Sequence, residues 1–137
     1  MADYPELLHT VINAVEPRRL AEFYRQLLGY RYRPGDEPSV GTDADDADWL
    51  VLTNAEGRRM VAVQQTESLE PSTWPDLAVP MQLHLDFTVV DQKELVRHKL
   101  RALELGARLL LDRAEDEDEP LYVFADPAGH PFCIFVH

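Results

Sequence analysis

Two side chains capable of acid–base and metal chemistry, His84 and Asp86, lie two residues apart within residues 81–90. Polar side chains alternate in this stretch with apolar ones such as Leu85 and Phe87. A period of two predicts a β-strand that buries one face, so the imidazole and the carboxylate are expected together on the other face. The imidazole can bind a metal ion or a ligand, and the carboxylate can orient it or act as a base. The alternative is that both only hydrogen-bond to neighbouring polar groups.

A second histidine, His9, lies at the corresponding place in an earlier copy of this pattern. Each histidine follows a leucine and precedes a valine by six residues, and a Leu-Gly pair follows in both halves, at residues 28–29 and 105–106. The offset of 75 residues between the histidines predicts a duplicated supersecondary unit. Equivalent positions in such a duplication are expected to have equivalent surroundings.

Each half is predicted to have the element order β-α-β-β-β. Strands are predicted at 7–15, 30–33, 49–53 and 60–65 and then at 81–90, 108–111, 121–125 and 132–136, with helices at 16–29 and 91–106 and a loop at 34–48. Residues 66–80 contain three prolines and no periodicity. They are predicted to link module one, residues 7–65, to module two, residues 81–137.

The two predicted helices have recognisable starts and apolar stripes. Pro17 suits the first position of a helix, where its missing N–H costs nothing. Asp91 and Glu94 have the spacing of a capping box at the start of the second helix. The apolar stripe predicted for that second helix consists of Leu95, Val96, Leu100 and Leu103.

The predicted fold class is α+β, with two β-α-β-β-β modules whose curved sheets surround a central cavity. Each helix must bury its stripe on one sheet face, which puts the helices on the outer faces. A cavity between two halves is a common place for a ligand. Alternation, with aromatic residues as cavity wall, predicts that the cavity is lined by His9, Val11, Trp49, Gln64, His84, Asp86, Tyr122, Cys133 and Phe135. A shift of one residue in the register of the fourth strand would put Gln65 in the place of Gln64.

Composition narrows the choice of partners. The chain has 137 residues and a formal net charge of −12, which disfavours nucleic acid and anionic membranes because both need basic surfaces. No apolar run approaches the roughly 20 residues of a membrane helix. One cysteine and an N-terminus without the features of a signal peptide predict a cytoplasmic location.

Four short motifs resemble the vicinal-oxygen-chelate superfamily, the group of glyoxalases, bleomycin-resistance proteins and extradiol dioxygenases, and in particular its glyoxalase-like domains. They are Leu-Leu-His-Thr at 7–10, Phe-Tyr-Arg at 23–25, Leu-His-Leu-Asp at 83–86 and Asp-Pro-Ala-Gly at 126–129. The resemblance covers nearly the whole chain. It rests on the order of the four motifs together with the duplication. It also implies a homodimer.

The resemblance implies a set of metal ligands. Metal-using members take ligands from their first, fourth, fifth and eighth strands, which correspond here to His9, Gln64, His84 and Cys133, and the metal would be a divalent ion such as Zn, Fe, Ni or Mn. Glutamine cannot be the base that a glyoxalase-type isomerisation needs, so true glyoxalase I activity is disfavoured. A thiolate with two imidazoles could hold zinc. A lone cysteine in an apolar strand is more often a small core residue.

Three classes of function are compatible with these residues, and they leave open whether the chain is an enzyme. The first is a glyoxalase-like or bleomycin-resistance-type protein that binds a small organic molecule in the cavity. The alternative is a metal-dependent lyase, isomerase or dioxygenase with an unusual His/His/Gln/Cys ligand set. The third is a protein whose partner is another protein.

Overall fold

The computed structural model describes residues 3–41 and 44–137, and the chain divides between Ser68 and Leu69 into two compact units. Residues 42 and 43 of the predicted loop lie outside the described part. The first unit contains β1 (Thr10–Ala14), α1 (Pro17–Leu28), β2 (Arg31–Tyr32), β3 (Trp49–Thr53) and β4 (Arg59–Gln65). The second contains β5 (Leu85–Val89), α2 (Gln92–Leu105), β6 (Arg108–Arg113), β7 (Leu121–Ala125) and β8 (Pro131–Val136). The predicted α+β class and the duplicated order β-α-β-β-β are confirmed.

Each unit has one four-stranded mixed sheet. The strand orders are β1-β4-β3-β2 and β5-β8-β7-β6, and the first strand of each unit runs parallel to the last while the other pairs are antiparallel. One helix packs on one face of each sheet: α1 against β1, β3 and β4, and α2 against β5, β6 and β8. The opposite face of each sheet carries no helix of its own unit and is called its helix-free face below.

The first strand of each unit is shorter than predicted. β1 begins at Thr10, opposite Val61, and β5 begins at Leu85, opposite Phe132. Among the described residues, 3–9 and 81–84 are not paired with a strand, and apolar Leu83 is 58% exposed. His9 and His84 therefore lie immediately before a strand rather than within it.

The helices begin and end at the residues whose types predicted their ends. Pro17 occupies the start of α1, and Gly29 ends it with a φ of 70°. Asp91 caps α2 by accepting a hydrogen bond of 2.9 Å from the Glu94 N–H. None of the helices in the described ranges is long and apolar enough to cross a membrane.

Candidate functional site

Strand register determines which side chains lie on the helix-free face of the first sheet. Gln64 pairs with Asn13 on one side and with Trp49 on the other, and paired residues point to the same face. Gln65 pairs instead with Ala14, which is buried. Gln64 rather than Gln65 therefore shares the helix-free face with Trp49 and, by alternation from Asn13, with Val11.

His9 has neighbours on this face that the sequence did not indicate. Its ring lies 6.0 Å from the ring of Trp49, centroid to centroid, at an angle of 53°. The Nδ1 atom of His9 is buried and has no hydrogen-bond partner among the described residues. Burial, with the positive charges of Arg59 and Arg33, lowers the pKa of His9 below its ordinary value. The imidazole is thus kept neutral near pH 7, and its Nδ1 is a buried polar atom without a partner among the described residues.

Register also determines the helix-free face of the second sheet. Asp86 pairs with Cys133, and Cys133 pairs with Val123. The next pair along β5 and β8 on this face is Thr88 with Phe135. Asp86, Cys133 and Phe135 therefore share one face, opposite to the face that packs against α2.

Three of these predicted site residues converge. The Nε2 atom of His84 lies 3.1 Å from Oδ1 of Asp86, with 36% and 52% of the two side chains exposed. One ligand atom each from His84, Asp86 and Cys133 lies within 4.8 Å of the other two. Over residues 3–41 and 44–137 this is the one group of three or more His, Cys, Asp or Glu side chains with such convergence. The sequence could not reveal it, because the pairing of Asp86 with Cys133 depends on the register of two strands distant in the chain.

The thiol of Cys133 is not poised for nucleophilic attack. Burial raises its pKa to about 12, helped by the negative charge of Asp86 and by a hydrogen bond with that carboxylate. The thiolate is the nucleophilic form of cysteine, and the protonated form dominates at neutral pH here. Cys133 can act as a ligand only if a bound cation displaces its proton.

Tyr122 does not lie with the other predicted lining residues. It pairs with Ile134, whose side chain is buried, while its neighbour Val123 pairs with Cys133. The Lys99 Nζ on α2 lies 5.0 Å from the centre of the Tyr122 ring. Tyr122 therefore belongs to the face that packs against α2, because alternation gives adjacent strand residues opposite directions.

The donor chemistry can be compared with the metal that the resemblance implies. His9 and Gln64 belong to the first unit, and His84 and Cys133 belong to the second. The amide oxygen of Gln64 is a neutral donor, whereas Asp86 supplies a carboxylate beside an imidazole and a thiol. Imidazole, carboxylate and thiolate are the three ligand types that proteins use for zinc. The side chains grouped in the second unit therefore fit a divalent metal ion.

Comparison with known sequences identifies one family. The sequence profile of the family described as "Glyoxalase-like domain" matches residues 9–135. No curated protein matches the chain.

Solved structures with the same fold have low sequence identity to this chain. The fosfomycin resistance protein FosX from Mesorhizobium loti is 16% identical with a TM-score of 0.67, and the match covers 100% of this chain and 94% of that one. FosX from Listeria monocytogenes is 13% identical with a TM-score of 0.69, covering 98% and 94%. A glyoxalase/bleomycin resistance protein/dioxygenase family enzyme from Burkholderia phytofirmans is 14% identical with a TM-score of 0.67, covering 96% and 98%. These likenesses establish the fold.

Proposed function

The chain belongs to the glyoxalase-like domain family, and from this membership we propose that it binds a small organic molecule on the helix-free face of its first sheet. The names of its structural neighbours refer to small molecules, fosfomycin and bleomycin, and not to macromolecules. The net charge of −12 also disfavours a nucleic acid. A small-molecule ligand is therefore the best supported partner.

The observation that carries this proposal is the arrangement of His9, Trp49 and Gln64 on one helix-free face. Trp49 offers an aromatic surface beside the His9 ring, and the buried Nδ1 of His9 is left without a partner among the described residues. Gln64 adds an amide on the same face and is exposed. An aromatic wall with a few polar groups is typical of a site for a small, partly apolar molecule.

A ligand screen by thermal shift tests the proposal. A ligand that binds only the folded state raises the apparent melting temperature in proportion to the logarithm of its concentration. We expect a hit from a library of small organic molecules, and we expect His9→Gln to weaken or abolish its shift. His98→Gln is the matched control, because His98 lies on α2 and its pKa is also lowered by burial. An equal loss in both variants, or no hit at all, would contradict the proposal.

A metal-dependent lyase, isomerase or dioxygenase is the second candidate function. The convergence of His84, Asp86 and Cys133 favours it, since such enzymes need a bound divalent cation. Activity assays with and without a chelator separate the two candidates. Turnover that requires a bound transition metal supports the enzyme, and ligand binding by metal-free protein without turnover supports the binding protein.

The family resemblance also leads us to propose a homodimer in the cytoplasm. A dimer is the assembly that the resemblance implies, and the single cysteine, Cys133, is compatible with a reducing compartment. Light scattering at micromolar concentration tests the assembly. A mass near 15.7 kDa would show a monomer and overturn it.

A further inference from the structure

We propose that His84, Asp86 and Cys133 form a site for one divalent transition-metal ion, for which zinc is the best match. All three ligands come from the second unit. The site differs from the set that the resemblance implied, because Asp86 takes the place of His9 and Gln64. The inference is independent of the proposed organic ligand, which metal-free protein could still bind.

The strand geometry brings the three side chains together. His84 and Asp86 are two residues apart, so they lie on the same side of an extended chain. Cys133 lies directly opposite Asp86 on the neighbouring parallel strand. Neighbouring strands are about 4.8 Å apart, so the carboxylate and the sulfur start from adjacent backbone positions. Backbone pairing between β5 and β8 fixes the positions of Asp86 and Cys133. The third ligand, His84, comes immediately before the first residue of β5.

One ligand distance is close to that of a tetrahedral site, and the other two have an upper bound of 4.8 Å. Zinc bonds to nitrogen, oxygen and sulfur are about 2.0–2.3 Å long, so tetrahedral ligand atoms are about 3.3–3.8 Å apart. The His84 Nε2 to Asp86 Oδ1 distance is 3.1 Å, and all three ligand atoms lie within 4.8 Å of each other. A cation held by these ligands would take the place of the direct contact between the His84 Nε2 and the Asp86 carboxylate.

Exposure and donor type favour a transition metal that keeps a water ligand. The His84 and Asp86 side chains are 36% and 52% exposed, so a hydrated cation can reach them. Three protein ligands leave a fourth tetrahedral position for water. A sulfur and a nitrogen donor disfavour magnesium and calcium, which prefer oxygen ligands throughout.

Titration of the metal-free full-length chain with Co²⁺ and Zn²⁺ tests the site. We expect one ion per chain, and we expect Co²⁺ to give a thiolate-to-cobalt charge-transfer band in the near ultraviolet. Cys133→Ser should abolish that band, and Asp86→Asn should weaken Zn²⁺ affinity by at least about tenfold. Circular dichroism would show that both variants remain folded.

Two further pairs of variants distinguish this site from others. Asp118→Asn and His98→Gln alter an aspartate and a histidine outside the cluster and should leave Zn²⁺ affinity unchanged. His9→Gln and Gln64→Ala should also leave it unchanged. Absence of stoichiometric binding, a cobalt complex without the thiolate band, or loss of binding in His9→Gln but not in Asp86→Asn would each overturn the inference. A screen for organic ligands in the presence of a chelator tests the proposed function separately.

Discussion

The two histidines that the duplication placed in corresponding positions have different surroundings. His9 lies beside Trp49 and near two arginine charges, whereas His84 lies beside the carboxylate of Asp86. A neutral imidazole next to an indole suits a partly apolar organic ligand. An imidazole next to a carboxylate and a thiol suits a cation. The two copies of one motif thus carry different chemistry.

The sequence could predict the face of most single residues but not their neighbours. Alternation correctly separated Asp86 from Leu85, and the register places Cys133 on the same face as Asp86. The contact of Asp86 with Cys133 and the charges of Arg33 and Arg59 near His9 depend on strand pairing. A repeat of two residues contains no information about pairing. Tyr122, predicted in the cavity wall from its aromatic character, lies on the face that packs against α2, as its pairing with buried Ile134 indicates.

Lowered histidine pKa values predict a loss of stability in mild acid. Burial lowers the pKa of both His9 and His98 from the ordinary value of 6.5. Below pH 6.5 the unfolded chain therefore binds protons more readily than the folded chain, which favours unfolding. We expect the urea midpoint to fall between pH 7.5 and pH 5.5. The double variant His9→Gln/His98→Gln should show a smaller fall, and an identical fall would refute the assignment.

At the scale of elements, α1 and the loop that precedes β3 are joined by one arginine. The Arg18 guanidinium donates to the Asp45 carboxylate, at 2.6 and 3.2 Å, and to the carbonyl oxygen of Asp36. Its side chain is only 20% exposed, so the charged hydrogen bonds are partly shielded from water. One residue of α1 thereby fixes two points of a long loop.

Arg18→Ala should destabilise the fold by about 1–2 kcal/mol, because charged hydrogen bonds are lost and the loop loses its attachment. Arg18→Lys should recover little, since an ammonium cannot reproduce the paired contacts. Arg19→Ala is the control, as Arg19 is 63% exposed and lies 3.6 Å from Glu16. Chemical denaturation measures all three. Equal effects at Arg18 and Arg19 would contradict the prediction.

Gly129 ends the turn that leads into β8, and its conformation and packing both require glycine. Its φ is +93°, and an added Cβ would lie 2.4 Å from the Cβ of Pro71. Gly57 has a φ of +79° and no atom within 4 Å of such a Cβ. We expect Gly57→Ala to cost about 1 kcal/mol from backbone strain alone and Gly129→Ala to cost at least about 2 kcal/mol. Melting temperatures test the difference, and a milder effect at Gly129 than at Gly57 would be inconsistent with it.

The sequence predicted the helices well but not the buried side of α2. The cap at Asp91 lies where its motif indicated. The predicted apolar stripe includes Val96, Leu100 and Leu103, which are 43%, 61% and 37% exposed. Leu95 is the one residue of the predicted stripe that is buried, and Ala102, seven residues further on, is the other buried residue of the helix. Helical spacing alone permits more than one side of α2 to be buried, and only packing against the sheet determines which side it is.

At the scale of the whole molecule, duplication is the property that the sequence predicted most completely. The repeated Leu-His and Leu-Gly pairs indicated two β-α-β-β-β modules, and the structure has two units in that order. What duplication does not preserve is chemistry, because each helix-free face has its own residues. The fold is therefore shared with proteins at 13–16% identity, while the ligand must be determined for this chain.

The most direct test of ligand binding on a helix-free face is the indole N–H signal of Trp49 in a ¹H–¹⁵N spectrum. The chain has two tryptophans, so Trp74 serves as an internal reference, and Trp49→Phe assigns the signals. Addition of a ligand found in the thermal-shift screen should move the Trp49 signal and the backbone signals of His9 and Gln64, with little change at Trp74. Signals that move only on α1 or α2, with Trp49 unchanged, would contradict the account.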